Sequence, residues 1–227
     1  MATSNLNLQK VVVHKPWGYE YLVYQNASVA VWYLRINEGE ATSLHCHPRK
    51  KTGLILLSGE AVVSFLNDSM PLKSPGKLVI RPGLFHSTKA VSSGGIGILE
   101  LETPVDKEDL VRFEDGYGRE GKAYEGPDKM TPIPEDFVRF SSPDQGSPRE
   151  YQMDGRFIRL QRLTNLSQLP EKSAETIIAI LEGGLHTKSG DPIAVPGDVG
   201  TFASLSRLAE AFHAPDGLLL LTVENKN

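Results

Sequence analysis

Two histidines separated by one residue are the feature of this sequence that most directly indicates chemistry. His45 and His47 lie in the stretch GEATSLHCHPRKKTGLILLSGE, residues 39–60, between apolar segments. Because side chains alternate between the faces of a β-strand, both imidazoles project from one face. Two neutral imidazoles on one face suit a divalent metal ion. Such a site usually recruits a carboxylate as well, yet residues 48–59 contain none.

Two glutamates further along the chain offer a substitute for the missing acid. Glu100 and Glu102 have the same parity as Ile96 and Ile98 on a predicted late strand. We therefore expect one or both to face the interior of the sheet and to take part in catalysis. A buried carboxylate is costly without a partner, and a metal ion or a sugar hydroxyl would offset that cost. The alternative is that both face water at the strand end.

Basic residues near the histidines indicate an anionic substrate. Lys50 and Lys51 follow the histidine pair, and Arg81 and Lys89 bracket His86. A phosphorylated or carboxylated molecule needs such cations as donors and as charges. We expect Lys51, Arg81 and Lys89 to bind substrate. The alternative is that they are ordinary solvated side chains.

Short β-rich segments must position these residues. Between residues 11 and 103 they are YEYLVY, VAVWYLRI, TGLILL, AVVSFL, KLVIRP and IGILELE. Glycine, proline, asparagine and aspartate separate them, as in a closed or sandwiched antiparallel sheet. Residues 106–150 differ, because DKEDLVRFED predicts a short helix and the rest is dense in glycine, proline and charge. We interpret this region as a connecting arm.

The β signal returns in the last third of the chain. It is carried by RFIRLQRL, ETIIAILEGG, PIAVPGDVGTFA and GLLLLTV. The segment LSRLAEAF, residues 205–212, is either a helical turn or an irregular strand. No second histidine pair of this kind is present in the last third.

Composition limits the class of partner. The chain has 227 residues, 40% of them apolar, and a net charge of −4. These values predict a globular protein without the basic surface that nucleic acid requires. No apolar run is long enough to span a bilayer, and residues 1–10 lack the apolar block of a secretory signal. We therefore expect a cytoplasmic protein that binds a small molecule.

Two stretches resemble the motifs of the cupin superfamily of small β-barrels. The pattern Gly39-x5-His45-x-His47 with a following glycine matches the first motif except at its glutamate, where Thr52 stands. The stretch RPGLFH, residues 81–86, is similar to the second motif and ends at His86. The segments KPWGYEY, residues 15–21, and EDLVRFEDGYGR, residues 108–119, resemble those that flank the cupin domain of type II mannose-6-phosphate isomerases.

The resemblance implies a set of site residues. Matched by position, His45, His47 and His86 would hold a divalent metal ion: Zn, Mn, Fe, Co or Ni. Arg119 matches an arginine that the isomerases use at the active site. Since arginine is a poor base, we expect it to orient substrate oxygens or phosphate. The alternative is that Arg119 pairs with a neighbouring acid, Glu114 or Asp115.

These observations predict an all-β bicupin. A double-stranded β-helix barrel occupies residues 1–105, an arm residues 106–150, and a degenerate cupin-like unit residues 151–227. The favoured function is a metal-dependent aldose–ketose isomerase acting on a phosphorylated sugar such as mannose 6-phosphate, in a homodimer. The alternatives are a non-catalytic cupin that binds a sugar or carboxylate, and an Fe(II) dioxygenase with three histidine ligands.

Overall fold

A computed structural model describes residues 8–122 and 124–225 of the chain. Up to residue 114 it forms β1 (Val11–Lys15), β2 (Gly18–Gln25), β3 (Ala30–Ile36), β4 (Leu44–Cys46), β5 (Lys51–Ser58), β6 (Glu60–Phe65), β7 (Ser69–Lys73), β8 (Gly76–Ile80), β9 (His86–Ala90), β10 (Ile96–Thr103) and β11 (Val111–Glu114). After residue 126 it forms β12 (Met130–Pro132), β13 (Arg149–Met153), β14 (Arg156–Leu163), β15 (Ile177–Gly183), β16 (Leu185–His186), β17 (Pro192–Ala194), β18 (Val199–Thr201), α1 (Phe202–Ala211) and β19 (Leu218–Asn225). Short 3-10 turns lie at Leu8–Lys10, Pro127–Lys129 and Leu166–Gln168.

Two antiparallel sheets enclose a lumen in the first half of the chain. One has seven strands in the order β12-β1-β2-β3-β10-β5-β8, and the other has five in the order β11-β4-β9-β6-β7. Alternation decides what each strand presents to the lumen. On β10, Ile98, Glu100 and Glu102 line the lumen, whereas Leu99 and Leu101 belong to a core on the opposite face.

The second half adds a smaller sheet that packs on the outer face of the barrel. Its strands run β13-β14-β19-β15-β18, all antiparallel. The two sheets share one apolar core, in which Ile158 and Leu221 join Leu99 and Leu101 of the barrel. Close approach favours glycine at position 53, because a Cβ there would lie 2.6 Å from Cγ2 of Val199 and 3.1 Å from the backbone oxygen of Gly197. The barrel and the second unit are therefore physically continuous.

Helix α1 covers the other face of the second sheet. Leu205 of α1 packs with Ile178, Ile180 and Leu220 in a separate core. The hydroxyl of Thr201 caps the helix by accepting a hydrogen bond from the backbone N–H of Ser204 (3.3 Å). The helix thus occupies the face that would line a lumen if this sheet belonged to a complete barrel. No helix in the described ranges has the length and apolarity needed to cross a membrane.

The structure confirms the all-β prediction and corrects one element. The predicted helix in DKEDLVRFED is wrong, because its second half forms β11 instead. In this strand Val111 pairs with Cys46 and Arg112 with His45. The edge of β4 offers unpaired backbone groups, and pairing with them outweighs the local helical preference. Of the segment 205–212, residues 205–211 lie in α1, so the helical alternative is the one that the structure shows.

Candidate functional site

Three histidines converge inside the barrel from two neighbouring strands. His45 of β4 lies directly opposite His86 of β9, and their ring centres are 4.4 Å apart. His47 follows β4, with its ring centre 5.0 Å from that of His45. One ligand nitrogen from each residue lies within 4.8 Å of the others. The structure therefore brings together the three residues predicted as metal ligands.

Backbone carbonyls fix the tautomer of all three rings. The Nδ1 atoms contact carbonyl oxygens: His45 that of Ser43 (2.8 Å), His47 that of Asp109 (2.6 Å) and His86 that of Leu84 (3.0 Å). Because a carbonyl only accepts, each Nδ1 carries the hydrogen and each Nε2 presents a lone pair. Nε2 of His47 is buried and has no hydrogen-bond partner in the described chain.

The electrostatics keep these imidazoles neutral. Burial lowers the pKa of His45 well below its usual value, and repulsion from His86 and His47 adds to the effect. Burial and then Lys50 lower the pKa of His47 to about 4. Burial lowers the pKa of His86 as well. Three neutral, oriented Nε2 atoms, one of them an orphan, fit a divalent ion with positions left for other ligands.

A glutamate faces the lumen beside the position of the missing motif acid. Thr52 of β5 pairs directly with Glu102 of β10, so their side chains share a face. Thr52 is fully buried, and its Oγ1 has no hydrogen-bond partner in the described residues. Glu102 Oε1 lies 2.9 Å from Nζ of Lys50 and 3.4 Å from Nζ of Lys107. Burial raises the pKa of Glu102, but the two lysines outweigh it and lower the pKa.

Glu100 is the lumen carboxyl group without a partner. It is 8% exposed, lines the lumen, and makes no hydrogen bond or ion pair with the described part of the chain. Burial, followed by the charge of Glu102, raises its pKa to about 7. A group with such a pKa can both accept and release a proton near neutral pH. Both glutamates predicted from strand parity therefore lie in the lumen, in different electrostatic states.

Buried ion pairs close one side of the lumen. Lys15 of β1 contacts Glu125 closely and lies 3.5 Å from Oε1 of Glu20. Nζ of Lys107 lies 3.3 Å from the same oxygen of Glu20. Burial would raise the pKa of Glu20, yet Lys107 and Lys15 lower it to about 2. Tyr124 donates its hydroxyl hydrogen to Glu20. None of these residues was predicted, since nothing in their spacing marks them in the sequence.

Arg119 lines the lumen and is held by two acids. Its Nε and Nη2 donate to the two oxygens of Asp115 (2.8 and 2.7 Å), and its Nη1 donates to Glu125 (2.8 Å). The alternative reading of Arg119, a pairing with Asp115, is therefore seen in the structure. Its guanidinium still borders the lumen, which leaves a role with substrate as a proposal.

Three predicted substrate-binding cations lie outside the lumen. Lys51 forms an ion pair with Asp198 of the second unit (2.6 Å), and Arg81 is exposed beside it. Lys89 is exposed on β9, three residues after His86 and hence on the opposite face. Lys50 instead faces the lumen, because it shares parity with Thr52. The alternation of side chains along the strand, applied to the basic residues, would have predicted Lys50 as the lumen-facing lysine.

The free space in the lumen is small. The cavity measures about 60 Å³, which is room for about five water molecules at about 10–15 Å³ each. Five cations and three carboxylates line it: Lys15, Lys50, Lys107, Arg112, Arg119, Glu20, Glu100 and Glu102. Asp115 and Glu125, which lie behind this lining, pair with Arg119 and Lys15, so the cations around the lumen are already compensated by acids.

Comparison with known proteins identifies relatives of the first half of the chain. Residues 3–115 match the family model described as mannose-6-phosphate isomerase C-terminal. The xanthan biosynthesis protein XanB of Xanthomonas campestris pv. campestris (strain B100) is 27% identical over 109 residues, which are 47% of this chain and 23% of XanB. The chain thus spans about a quarter of the length of this curated relative.

Solved structures with a similar fold include a protein with a double-stranded β-helix domain and a cupin-2 domain. One, from Klebsiella pneumoniae subsp. pneumoniae, has a TM-score of 0.40 and 16% identity over 51% of this chain and 86% of its own. A cupin-2 domain from Rhodospirillum rubrum has a TM-score of 0.42 and 10% identity over 51% of this chain and 82% of its own. At these values the likeness carries no inference about activity.

Proposed function

Because the N-terminal half of the chain belongs to the mannose-6-phosphate isomerase C-terminal family, we propose that the protein is a metal-dependent isomerase of phosphorylated sugars. It would interconvert an aldose phosphate and its ketose phosphate. The observation that carries the proposal is the unpaired carboxyl of Glu100, which faces the same lumen as three histidines prepared for a metal ion. Proton transfer between neighbouring carbons requires a group of that kind.

The residues divide the chemistry between them. His45, His47 and His86 would hold the ion, which when bound supplies a positive charge that polarises the sugar carbonyl and its neighbouring hydroxyl. Glu100, as the carboxylate, removes the proton from C2 of the aldose to give an enediol. The resulting carboxyl group exchanges its proton with water and then delivers a proton to C1, or back to C2 in the reverse direction. The hydroxyl proton passes from O2 to O1 in the same conversion, so the substrate is isomerised without gain or loss of atoms.

The cations of the lumen would bind the phosphate group. Lys15, Lys107 and Arg119 approach the lumen from the side that the arm closes. The present space of about 60 Å³ is smaller than a hexose phosphate. The proposal therefore requires the segment that carries Tyr124 and Glu125 to move away when substrate enters, which frees cations from their acids for the phosphate.

Proton exchange with solvent tests the proposal more sharply than turnover. The full chain, loaded with Mn²⁺, Zn²⁺, Co²⁺ or Fe²⁺, is incubated with mannose 6-phosphate in D₂O and followed by NMR. We expect deuterium at C2, loss of exchange in Glu100→Gln with metal still bound, and loss of both metal and exchange in His86→Ala. Glu60→Gln, at an exposed position of β6, is the matched control. Absence of exchange with every metal and with other hexose and pentose phosphates would overturn the proposal.

A non-catalytic binding role is the second candidate. The ion pair between Glu102 and Lys50 favours this role. Glu102 is the carboxylate nearest to the position of the missing motif acid, and Lys50 already engages it. A binding module would show perturbed histidine resonances with sugars or small acids and no deuterium at C2.

Homodimer formation and a cytoplasmic location stay predictions, and light scattering tests the first.

A further inference from the structure

A second, larger cavity lies between the barrel and the second unit. It measures about 620 Å³, within the range of about 300–1,000 Å³ typical of small-molecule sites. It borders the outer face of the seven-stranded sheet, away from the histidines. Its lining comes from β5, β8, β15, β17, β18 and α1, together with adjoining loop residues. The cavity exists because α1 covers only part of the apolar face that the second sheet presents.

The walls of this cavity are mainly aliphatic. They are formed by Val79, Ile178, Ile180, Ile193, Val199, Leu205 and Leu208. Ile193 is 39% exposed and Val79 is 36% exposed. Exposed apolar side chains that surround a concave surface indicate a binding site for an apolar group.

One edge of the cavity is cationic. Lys77, Val79 and Arg81 alternate on and just after β8 and therefore share its outer face. Gly53 pairs with Val79, which brings Lys51 next to Arg81. Three cations and one carboxylate, Asp198, line the cavity.

The cations differ in whether they have partners. Lys51 is paired with Asp198 at 2.6 Å. The side chains of Lys77 and Arg81 make no hydrogen bond or ion pair with any described residue. The edge thus keeps two uncompensated positive charges beside an apolar wall, and an anionic head group would complement them.

We propose that this cavity binds an amphipathic organic anion, with its carboxylate on Lys77 and Arg81 and its hydrocarbon part against Ile178, Ile193 and Leu208. The assignment does not depend on the isomerase proposal, since no lumen residue takes part. It also gives Arg81 and Lys51, which the sequence marked as cations for an anionic ligand, a shared location.

Calorimetric titration of the full chain with decanoate, and with 1-decanol as the uncharged counterpart, tests the assignment. We expect saturable binding of one decanoate per chain. Lys77→Gln combined with Arg81→Gln should weaken decanoate binding by about tenfold or more, because charge-assisted contacts are lost, and should leave 1-decanol binding unchanged. The matched control combines Lys73→Gln with Lys129→Gln, two exposed lysines outside the cavity, and should change neither ligand's affinity.

A second measurement locates the ligand. In a chain with ¹³C-labelled isoleucine methyl groups, decanoate should shift the resonances of Ile178 and Ile193 and leave that of Ile98 in the lumen unchanged. Non-saturable binding, an equal loss of affinity in the control double variant, or shifts at Ile98 alone would each overturn the proposal. The Lys77 and Arg81 variants are expected to fold, since neither side chain has a partner to lose.

Discussion

Glu100 illustrates how one residue couples the site to stability. Its pKa is about 7 in the folded chain against 4.5 for an ordinary glutamate. The folded chain therefore retains a proton that the unfolded chain releases, so the free energy of unfolding falls as pH rises through this interval. The site maintains a carboxyl group ready for proton transfer at the expense of stability at alkaline pH.

The substitution Glu100→Gln should remove this dependence. Glutamine resembles the protonated acid at every pH, so the variant should gain thermal stability over the parent as pH rises from about 5 to about 9. Melting temperatures of both metal-free chains across this range provide the measurement. Other titrating groups are common to both chains and cancel in the difference. A difference in melting temperature that is constant with pH would contradict the assignment.

Thr52→Glu should restore the acid of the first motif. In metal-free protein the new carboxylate would lie buried beside Glu102 and lower the melting temperature. Divalent ions should reverse the loss, and Mn²⁺ should gain more affinity than Zn²⁺ because a hard oxygen ligand has been added. Titration of both ions gives the affinities, with Thr52→Gln as a control of similar size. Unchanged affinity for both ions would show that residue 52 does not reach the ion.

The sequence predicted the site residues unevenly, for a physical reason. The histidines and both glutamates lie in the lumen because their parity fixes which face of a strand they occupy. Lys51 and Lys89 were chosen for nearness to a histidine along the chain, which says nothing about the face. Lys15 and Glu125 are 110 positions apart, and a contact at that separation depends on how the arm folds back.

At the scale of elements, the arm is the part whose local sequence predicts its structure least well. The helical pattern of residues 106–115 yields to pairing with the edge of β4. Glu125 then adds buried ion pairs to the lumen wall, and Tyr124 adds a hydrogen bond to Glu20. The strands of the barrel were predicted well, because alternation and turn residues are local signals. The second unit was predicted as a degenerate barrel. The position of α1 against its sheet was not predicted, because it depends on tertiary packing and not on the local sequence pattern.

Glu125→Ala should show how strongly the arm is attached. The side chain of Lys15 is 3% exposed and that of Glu125 is 8% exposed. Removing the carboxylate leaves Lys15 with only its longer contact to Glu20, and Arg119 with Asp115 alone. Because each of these two cations keeps one acid, we expect a loss of about 3 kcal/mol in the free energy of unfolding. Urea denaturation measures it. Glu60→Ala, which breaks an exposed pair with Lys73, should cost no more than about 1 kcal/mol. Equal losses in the two variants would mean that the arm contributes little.

At the scale of the whole molecule, the barrel and the second unit should unfold together. They share an apolar core, and both tryptophans, Trp17 and Trp32, lie in the barrel. Leu221→Ala in the second unit should therefore lower the free energy of unfolding by about 2–5 kcal/mol. The denaturation midpoint measured by tryptophan fluorescence should fall accordingly. Circular dichroism should give the same midpoint. A fluorescence transition that Leu221→Ala leaves unchanged would show that the two units unfold independently. Ile193→Ala, which shortens an exposed side chain, serves as the control.

Lys50 and Lys51 are neighbours in the chain that serve opposite sides of one strand, the first with Glu102 in the lumen and the second with Asp198 of the other unit. A shift of β5 by one residue in its pairing with β10 would exchange the two faces and break both ion pairs at once. In evolutionary terms, we expect a change of length within β5 to be retained less often than a replacement at one of its positions. Gene lineages that keep both cavities should therefore vary here by substitution and not by insertion or deletion of codons.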